Sequence, residues 1–490
     1  MAAAASDDGG GNDHLSELPD DALHHIVSFL PSDDAVRTSV LARRWRHLWK
    51  STRTLRISRR RDLSGGSGGH RWPPEWGRRW TPSTLTNFMN NLLLLRGGGG
   101  VPLDLCEISC SDLHDDDYDY KLPADYKHKL DEDLTRAAGV WIRHAVAVCH
   151  ARVLRVHLVA RRRLRLDGRS FAAGAPLLTT VVLEKATLTE SSLDFSGCPA
   201  LQVLKISKCS IKADRICSPS LARLSIDECS SFHAETRTRV STPRLVSLQL
   251  MVSSGNAPVL ESMPELVAAN VRIEDWCRDM CSHNVCRNSG YIKKKWGHGS
   301  KHGCFCVDKD GSGSYLEDLT CCDSCYGTDD GSSLLLEGLS SATDLELISD
   351  PRVFIFRKDC KSPTTLFNRL KTLLLNEWCM AVDFGALVFF LQRSPVLEEL
   401  TLQLGYCETR HPVIETDKSY SPTEQLFVVS KQLTIVEIKC TQENEIVKKL
   451  LMLLTTNGVD QEQIHIEHDF CPPDLSGYDS NSSEYDDYYW

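Results

Sequence analysis

The chain has 490 residues, of which 41% are hydrophobic and 25% charged, a composition typical of a folded protein with two or three domains. A formal net charge of −10 argues against a nucleic-acid partner, and the absence of an apolar run long enough to span a bilayer argues against a membrane partner. Twenty cysteines without a secretory signal pattern predict reduced thiols, and hence a cytoplasmic or nuclear location, or both.

Residues 1–13 are predicted to be a disordered leader, and two helices are expected after it. Leu18 and Pro19 precede a pair of aspartates at the start of the first helix. Its apolar residues recur at the spacing of one helix face, at Leu23, Ile26, Val27 and Leu30. Pro31 is expected to close this helix, and Ser32 to cap the next one together with the aspartates that follow it.

Apolar residues continue at helical spacing in the next segment, among several basic residues. They are Val36, Val40, Leu41, Trp45, Leu48 and Trp49. A unit of about forty residues buries too little apolar surface to be stable alone. We therefore expect residues 14–57 either to pack on the following domain or to offer their apolar face to a partner.

The order and spacing of these residues resemble the F-box. The residues that fall on its pattern are Leu18, Pro19, Ile26, Leu30, Leu41, Trp45 and Trp49. The resemblance implies a non-catalytic subunit that docks on the Skp-type adaptor of a cullin–RING ubiquitin ligase and recruits a protein substrate. It also implies the adaptor contacts, which would be Leu18, Pro19, Ile26, Leu30, Val40 and Trp45. The alternative is that these residues form only the core of a three-helix cap.

A Gly- and Pro-rich stretch over residues 58–83 is predicted to be a linker. After it we expect a helix over Thr84–Leu95, a strand over Val101–Ser109 and a second helix over Leu130–Cys149. These elements would open the first part of a repeat array, residues 84–276.

The array is indicated by a recurring phrase of proline, one residue, leucine, two residues and two alternating aliphatic residues. Its first five prolines, from Pro176 to Pro264, lie 23, 20, 24 and 21 residues apart, and the phrase returns at Pro395. The period and the phrase are typical of leucine-rich repeats. The alternating aliphatic residues should point into the repeat core, and the residue between them should point outward. Cys209 and Cys229 follow the phrase at a position expected to be buried.

Outward positions on the concave strand face are the candidates for target binding. They are Lys205, Arg223, Ser225, Asp227, Gln249, Asn270, Arg272 and Thr401, with Glu399 among their neighbours. A nucleic-acid groove should carry a basic stripe interleaved with aromatic residues, and these residues do not form one. A protein or a small polar ligand is therefore the expected partner.

Residues 277–338 interrupt the repeats and are predicted to be an insertion that holds eight cysteines. The donors for zinc are present, but only Cys322 and Cys325 have a zinc-knuckle spacing, so no metal site is assigned and zinc stays an alternative. Repeats resume over residues 339–424. No sequence motif of a common enzyme class or cofactor site is found, and we expect neither catalysis nor a cofactor.

A strand over Leu433–Cys440, a helix over Glu443–Asn457 and a strand over Gln463–His468 are predicted near the C-terminus. This order is similar to the FBD module of plant F-box proteins, which implies a cap over residues 425–470. Residues 471–490 form an acidic tail.

The expected fold is of the α/β class, with a small N-terminal helical F-box followed by a curved leucine-rich-repeat solenoid. The expected function is that of a substrate receptor in a Skp–cullin–F-box ubiquitin ligase, with an unknown protein substrate. Three alternatives remain open at this point: an interaction scaffold outside ubiquitin chemistry, a receptor for a small ligand, and a zinc-dependent nucleic-acid binder.

Overall fold

A computed structural model describes most of the chain between residues 18 and 470. The described residues are 18–58, 82–97, 101–110, 124–158, 164–166, 171, 174–189, 193–229, 232, 236–274, 277–279, 333–350, 353–360, 365–380, 384–404, 426–441, 444–468 and 470. The chain divides into two compact units. The first comprises residues 1–186 with 197–200, and the second comprises residues 187–196 with 201–490.

The first unit begins with three short α-helices. They are α1 (Asp20–Ser28), α2 (Ser32–Arg37) and α3 (Leu48–Ser51), with 3₁₀ turns over Thr38–Val40 and Arg43–His47 between the last two. The helical spacing of apolar residues beyond Val36 therefore does not produce one continuous helix. The break falls at Ala42, whose backbone is extended at φ −157° and ψ 160°.

The start of α2 differs from the expectation. Pro31, and not Ser32, occupies the capping position, and no side chain caps this helix. The hydroxyl of Ser32 instead accepts a hydrogen bond from the backbone N–H of Arg56 at 3.0 Å. The serine thus ties α2 to the strand that follows the helices, because its hydroxyl serves that strand and not its own helix.

That strand is the first of a parallel sheet in the first unit. Its paired strands are β1 (Thr54–Ser58), β2 (Leu105–Cys110), β3 (Val153–Leu158) and β5 (Thr180–Glu184), and a short β4 (Leu164–Leu166) precedes β5. Two helices, α4 (Pro82–Arg96) and α5 (Ala124–Arg143), connect the first three strands, and a π-helical turn over His144–Val148 continues α5. The helix predicted over residues 84–95 is confirmed.

The α1–α3 segment is joined to this sheet without an intervening linker. Strand β1 starts three residues after α3 and pairs along its whole length with β2. The hydroxyl of Thr54 donates to the carbonyl of Ser28 at 2.6 Å, and the buried guanidinium of Arg96 donates to the carbonyl of Thr52. The segment predicted over residues 14–57 thus ends within β1, the first strand of this sheet.

The second unit contains the remaining strands. In chain order they are β6 (Ala186–Leu188), which starts at the boundary, β7 (Leu193–Asp194), β8 (Val203–Ser207), β9 (Ser210–Ile211), β10 (Arg215–Cys217), β11 (Arg223–Cys229), β12 (Arg239–Ser241), β13 (Ser247–Val252), β14 (Val259–Leu260), β15 (Ala268–Ile273), β16 (Asp344–Ser349), β17 (Thr372–Asn376), β18 (Glu399–Leu404), β19 (Ile435–Cys440) and β20 (Ile464–Glu467).

Nine of these strands form one parallel sheet, in the order β8, β11, β13, β15, β16, β17, β18, β19 and β20. Buried and more exposed residues alternate along them, as the repeated phrase predicts. The paired aliphatic residues of β8 and β11, for example, are buried, and so are Cys209 and Cys229. The inward half of each repeat phrase is therefore confirmed.

A second, smaller sheet of parallel strands was not predicted. It consists of β7, β10, β12 and β14, which are two or three residues long. Such short strands carry no measurable period in the sequence. Along the chain, these short strands alternate with strands of the larger sheet. Each repeat of this region therefore contributes one strand to each of the two sheets.

Helices replace the short strands in the later part of the second unit. They are α6 (Leu336–Leu339), α7 (Ile355–Asp359) and α8 (Gly385–Arg393). Aromatic rings fill the space around them, and Trp378 packs against Phe356 and Phe390 with ring centroids 4.9 and 6.4 Å apart. Its indole N–H donates to the carbonyl of Leu347 at 3.0 Å, so the one polar atom of this large side chain is satisfied.

The predicted strand–helix–strand close of the chain is present. Helix α9 (Glu445–Thr456) lies between β19 and β20 in the chain, and these two strands pair in parallel. Asn444 caps the helix by accepting the N–H of Val447 at 3.0 Å, and Gly458 follows its end with φ 91°. Strand β20 is the last strand of the sheet order.

Both described ends of the predicted insertion pack into the second unit. Cys277 is buried and pairs with Gly255 through an isolated bridge, and Leu335 and Leu336 are buried at the other end. The other seven cysteines of the segment, together with its histidines, lie outside the described residues. Among the described residues, no helix has the length and apolar character needed to cross a membrane.

Candidate functional site

Helix α1 has two apolar sides, one buried and one open. Leu23 and Val27 are buried, whereas Ile26 and Phe29 are exposed to 39% and 61%. The four-residue stripe predicted from the sequence is therefore divided, with Leu30 half-buried at its end. The buried pair specifies the fold, and the exposed pair is available to a partner.

The turn after α2 adds a second open apolar site. Val40 and Leu41 are exposed to 85% and 66%, the highest values for apolar residues in the α1–α3 segment. Scattered single exposed aliphatic residues are common on proteins, but two consecutive ones in a segment that also exposes Ile26 and Phe29 indicate a contact surface. We call Ile26, Phe29, Val40 and Leu41 the open apolar residues.

The six predicted adaptor contacts fall into three groups. Pro19, Ile26 and Val40 are exposed, and Leu18 and Leu30 are half-buried. Trp45 is only 5% exposed and belongs to the core of the segment. Its contact with an adaptor stays a prediction. Phe29 was missed by the sequence analysis, because it lies off the apolar helix spacing that marks the stripe.

Polar contacts connect α1 to the residues that follow α2. Arg44 pairs with Asp20 at 2.6 Å, and His24 contacts the hydroxyl of Ser51 at 2.8 Å. These residues are mostly exposed, so each contact contributes little stability by itself. The first contact joins the start of α1 to the 3₁₀ turn over Arg43–His47, and the second joins the middle of α1 to α3.

The second candidate surface is the outward face of the nine-stranded sheet. Its central row runs across the strands in register: Lys205, Ser225, Gln249, Asn270, Glu346, Leu374, Thr401 and Glu437. Four of the predicted target-binding residues are direct neighbours in this row, from β8 to β15, and Thr401 lies three strands further.

The other predicted residues lie on the rows beside it. Arg223 is in register with Ser247, Asp227 with Ser207, and Arg272 with Met251. The predicted set thus lies on the sheet face, but it is spread over five strands within a span of seven and does not form a single cluster.

A hollow of about 530 Å³ lies on this face from β13 to β18. Its lining residues are Ser247, Leu248, Gln249, Ala268, Ala269, Asn270, Asp344, Leu345, Glu346, Thr372, Leu373, Leu374, Glu399 and Thr401. Three of the predicted residues, Gln249, Asn270 and Thr401, contribute to it. Three carboxylates and no basic side chain line the hollow, a charge distribution that the sequence analysis did not identify.

Neutral groups are the hydrogen-bond partners of these carboxylates. Asp344 accepts from the hydroxyls of Thr343 at 2.9 Å and Thr372 at 2.5 Å, and Glu346 accepts from the amide of Asn270 at 2.6 Å. Within the described parts of the chain, no ion pair involves Asp344, Glu346 or Glu399. Their negative charge is therefore left to solvent or to a partner.

Buried carboxylates of the second unit have a different role. Asp279 accepts from both terminal guanidinium nitrogens of Arg237, one of them at 3.0 Å, and from the backbone N–H of Ala257 at 2.7 Å. Burial alone would lower the pKa of Arg237, but the hydrogen bonds and charge of Asp279 outweigh it and raise that pKa. The pair fixes the described start of the inserted segment.

Asp359 acts in the same way at the other end of that segment. Its buried carboxylate accepts the backbone N–H groups of Leu334, Leu335 and Leu336 and the hydroxyl of Ser333. Burial raises the pKa of Asp359, and the four hydrogen bonds oppose that rise. Both aspartates therefore serve the fold and are unavailable to a ligand.

The described thiols have the properties of structural residues. Burial raises the pKa of Cys106 to about 12 and that of Cys217 to about 11, so both remain protonated at neutral pH. In the described part of the chain, no group of three or more His, Cys, Asp or Glu side chains is arranged to hold a metal ion. The zinc donors suggested by the sequence lie mostly outside that part.

Comparison with known proteins identifies the N-terminal segment. Residues 15–56 match the family model of the F-box domain. An F-box/LRR-repeat protein of Arabidopsis thaliana is 58% identical over 48 residues, which are 10% of this chain and 10% of that protein. F-box/LRR-repeat protein 25 of the same plant is 57% identical over 42 residues, 8% of this chain and 16% of that protein.

One further relative is similar over most of the chain. The MEIOTIC F-BOX protein MOF of Oryza sativa subsp. japonica is 28% identical over 406 residues, which cover 80% of this chain and 71% of that protein. The chain thus contains an F-box domain and has plant F-box/LRR-repeat homologues, which confirms that part of the resemblance. With the two Arabidopsis proteins it shares only about a tenth to a sixth of their length.

Proposed function

We propose that the protein is the substrate-receptor subunit of a Skp–cullin–F-box ubiquitin ligase. The observation that carries the proposal is that the segment matching the F-box domain presents the open apolar residues Ile26, Phe29, Val40 and Leu41 to solvent. Apolar and aromatic anchors of this kind suit recognition by a groove on a partner. The partner proposed is a Skp-type adaptor, and through it a cullin.

We propose that the parallel strands within each unit are stacked leucine-rich repeats, of the kind that build a curved solenoid. In support, the repeated phrase supplies the buried aliphatic residues of successive strands. The last strand–helix–strand would be an FBD-like cap over residues 425–470, because β20 ends the sheet order and an open end would expose an apolar layer. The proposed location is the cytoplasm, the nucleus or both.

The target would be a protein bound on the outward face of the sheet. The candidate residues remain Lys205, Arg223, Ser225, Asp227, Gln249, Asn270, Arg272 and Thr401. In this role the protein makes no covalent bond itself. Its contribution is proximity, since it holds a target beside the ubiquitin-loaded part of the ligase.

A receptor for a small ligand is the second candidate. The observation that favours it is the hollow of about 530 Å³ on the strand face, a volume within the range of small-molecule sites. A ligand in the hollow would complete the surface that a target contacts. This candidate predicts that target binding depends on the ligand, whereas the leading proposal needs none.

The experiment that tests the leading proposal is a titration of the purified full chain with a Skp-type adaptor. Val40→Asp combined with Leu41→Asp should weaken adaptor binding by about a hundredfold or more, because it places charges in a desolvated contact. The matched control is Leu94→Asp with Leu95→Asp, since these α4 residues are exposed to 79% and 56% in the same unit. The control variant should bind the adaptor as the wild type does.

Two results would contradict the proposal. One is the absence of adaptor binding by a folded wild-type chain. The other is equal loss of binding in both variants, which would show a general effect of added charge. Adaptor binding without ubiquitination of any captured protein would instead favour the interaction scaffold.

A further inference from the structure

We propose that the hollow on the strand face binds a basic segment of the protein target, rich in lysine or arginine. This inference rests on the proposed function, because it assumes that a protein target occupies that face. It adds the chemistry of the partner, which the F-box domain and the repeat pattern leave open.

The charge of the lining is the first argument. Asp344, Glu346 and Glu399 line the hollow, and the lining contains no Lys, Arg or His. Asp344 and Glu399 lie two strands apart on one row, and Glu346 lies on the neighbouring row. A partner segment that crosses β16 to β18 would therefore meet all three carboxylates.

Most basic residues of the same face are too distant to neutralise these carboxylates. Arg223 is three strands from Asp344 in register, about 14 Å, and Lys205 is four strands from Glu346, about 19 Å. Both separations exceed the screening length of about 8 Å at physiological salt. Arg272 lies nearer, on β15 beside β16, one strand and two residues from Glu346. One arginine thus lies beside three carboxylates, and the acidic region keeps an excess of negative charge.

The two nearest lysines with described ion pairs already have acidic partners. Lys439 pairs with Glu437 at 3.4 Å and with Glu467 at 3.1 Å, and Lys371 pairs with Glu398 at 2.8 Å. Lys371 also lies close enough to Asp344 for that carboxylate to contribute to its raised pKa. Its main partner is nevertheless Glu398, so the three carboxylates of the hollow retain a net negative field.

The shape and apolar content of the hollow also suit a lysine or arginine side chain. Ala268 and Ser247 are small and create the depression, and Leu374 lies in its central row between Glu346 and Thr401. A long basic side chain packs its methylene groups on apolar surface while its charged end meets carboxylates. An acidic peptide or a nucleic acid would be repelled, and an uncharged peptide would leave the carboxylates without counter-charges.

The test uses the full chain, with and without the adaptor, and a fluorescent twelve-residue peptide of alternating lysine and alanine. Its glutamate counterpart is the negative probe. The test variant combines Asp344→Asn, Glu346→Gln and Glu399→Gln, which keep the side-chain shapes and hydrogen-bond acceptors. The control is Glu462→Gln, an exposed acid in the 3₁₀ turn before β20. Adaptor affinity is measured on the same samples.

The lysine peptide should bind, and the triple variant should weaken its binding by about tenfold, since three charge contacts are lost. Glu462→Gln should change it by less than about twofold. A triple variant that binds the peptide as the wild type does would overturn the inference, because the peptide would then occupy other acidic parts of the chain. Spermine binding as tightly as the peptide, with the same loss in the triple variant, would also overturn it, since the occupant would be a small polycation.

Loss of adaptor binding by the wild-type chain would count against the proposed function and not against the charge of the hollow. The two failures are therefore distinguishable within one set of samples.

Discussion

The F-box surface and the strand face of the second unit differ in how their functional residues relate to the fold. In the F-box domain, open and buried apolar residues alternate within a few positions, as Ile26 and Val27 do. On the strand face, the inward residues are aliphatic and the outward residues are varied and mostly polar. A compact domain therefore combines fold and contact in one motif, whereas a repeat array separates them.

This difference determines how much of each contact surface can be recognised from the sequence. The F-box motif is recognisable because its contact residues are also constrained by its small core. The repeat phrase identifies the core of the array but leaves its outward positions free, so the chemistry of that face depends on neighbours brought together by register. The predictions below test this contrast.

The largest effect on stability is expected from substituting a buried core residue of the F-box domain. An exposed contact residue of the same domain provides the comparison. Trp45→Ala should destabilise the domain by about 3–5 kcal/mol, because a buried indole leaves a large cavity. Phe29→Ala should change stability by less than about 0.5 kcal/mol and still weaken adaptor binding by about tenfold or more. Thermal unfolding and adaptor titration of the same two variants provide the comparison.

If Phe29→Ala lowered the melting temperature as much as Trp45→Ala does, the division into core and contact residues would be wrong. Its ring contacts only His25 among the described aromatic pairs, with centroids 4.8 Å apart, so a large loss of stability is not expected.

A second contrast lies between the buried and the exposed acids of the second unit. Asp279→Ala should cost about 3 kcal/mol, because it leaves the partly buried guanidinium of Arg237 and the N–H of Ala257 without their acceptor. Asp344→Asn should cost less than about 0.5 kcal/mol, since Asp344 is exposed and bonded only to hydroxyl groups. Urea unfolding midpoints of the two variants measure the difference. Equal midpoints would show that the buried and the exposed acid contribute equally to stability, which would contradict this contrast.

The last contrast concerns pH. Burial raises the pKa of Glu377 to about 7 from an ordinary value of 4.5; the hydrogen bond from Asn376 opposes the rise and the Asp350 carboxylate adds to it. The folded state thus holds this proton more tightly than the unfolded chain does. The contribution of Glu377 to the free energy of unfolding therefore falls as pH rises from about 4.5 to about 7, and it is constant above that range.

Glu377→Gln removes this titration and keeps an acceptor for the amide of Asn376. The melting temperature of the variant relative to wild type should rise between about pH 4.5 and pH 7 and stay constant above that range. Parallel profiles for the two proteins would mean that Glu377 titrates normally.

Much of the fold could be predicted because burial leaves a period in the sequence. The aliphatic pairs of β8, β11, β13, β15 and β18 were assigned from the repeated phrase, and their burial confirms the assignment. The short strands β7, β10, β12 and β14 could not be predicted, since two or three residues contain no period. The division of the segment after Val36 into turns depends on the extended backbone at Ala42, which helical spacing does not indicate.

The candidate sites were predictable to different extents. Ile26 and Val40 were named from the F-box pattern, whereas Phe29 lies off that pattern. Asp344 and Glu346 were missed because β16 follows the inserted segment and lacks the proline that marks the other repeats. Only the strand register brings them beside Asn270 and opposite Thr372, so the acidic hollow is a property of tertiary structure.

The most direct test of the proposed adaptor contact is hydrogen–deuterium exchange of the full chain with and without a Skp-type adaptor. The account predicts that binding slows exchange in α1 and in the turn around Val40, and leaves β15 to β18 unchanged. Tight adaptor binding that slows exchange on the strand face, with no change around α1 and Val40, would contradict it.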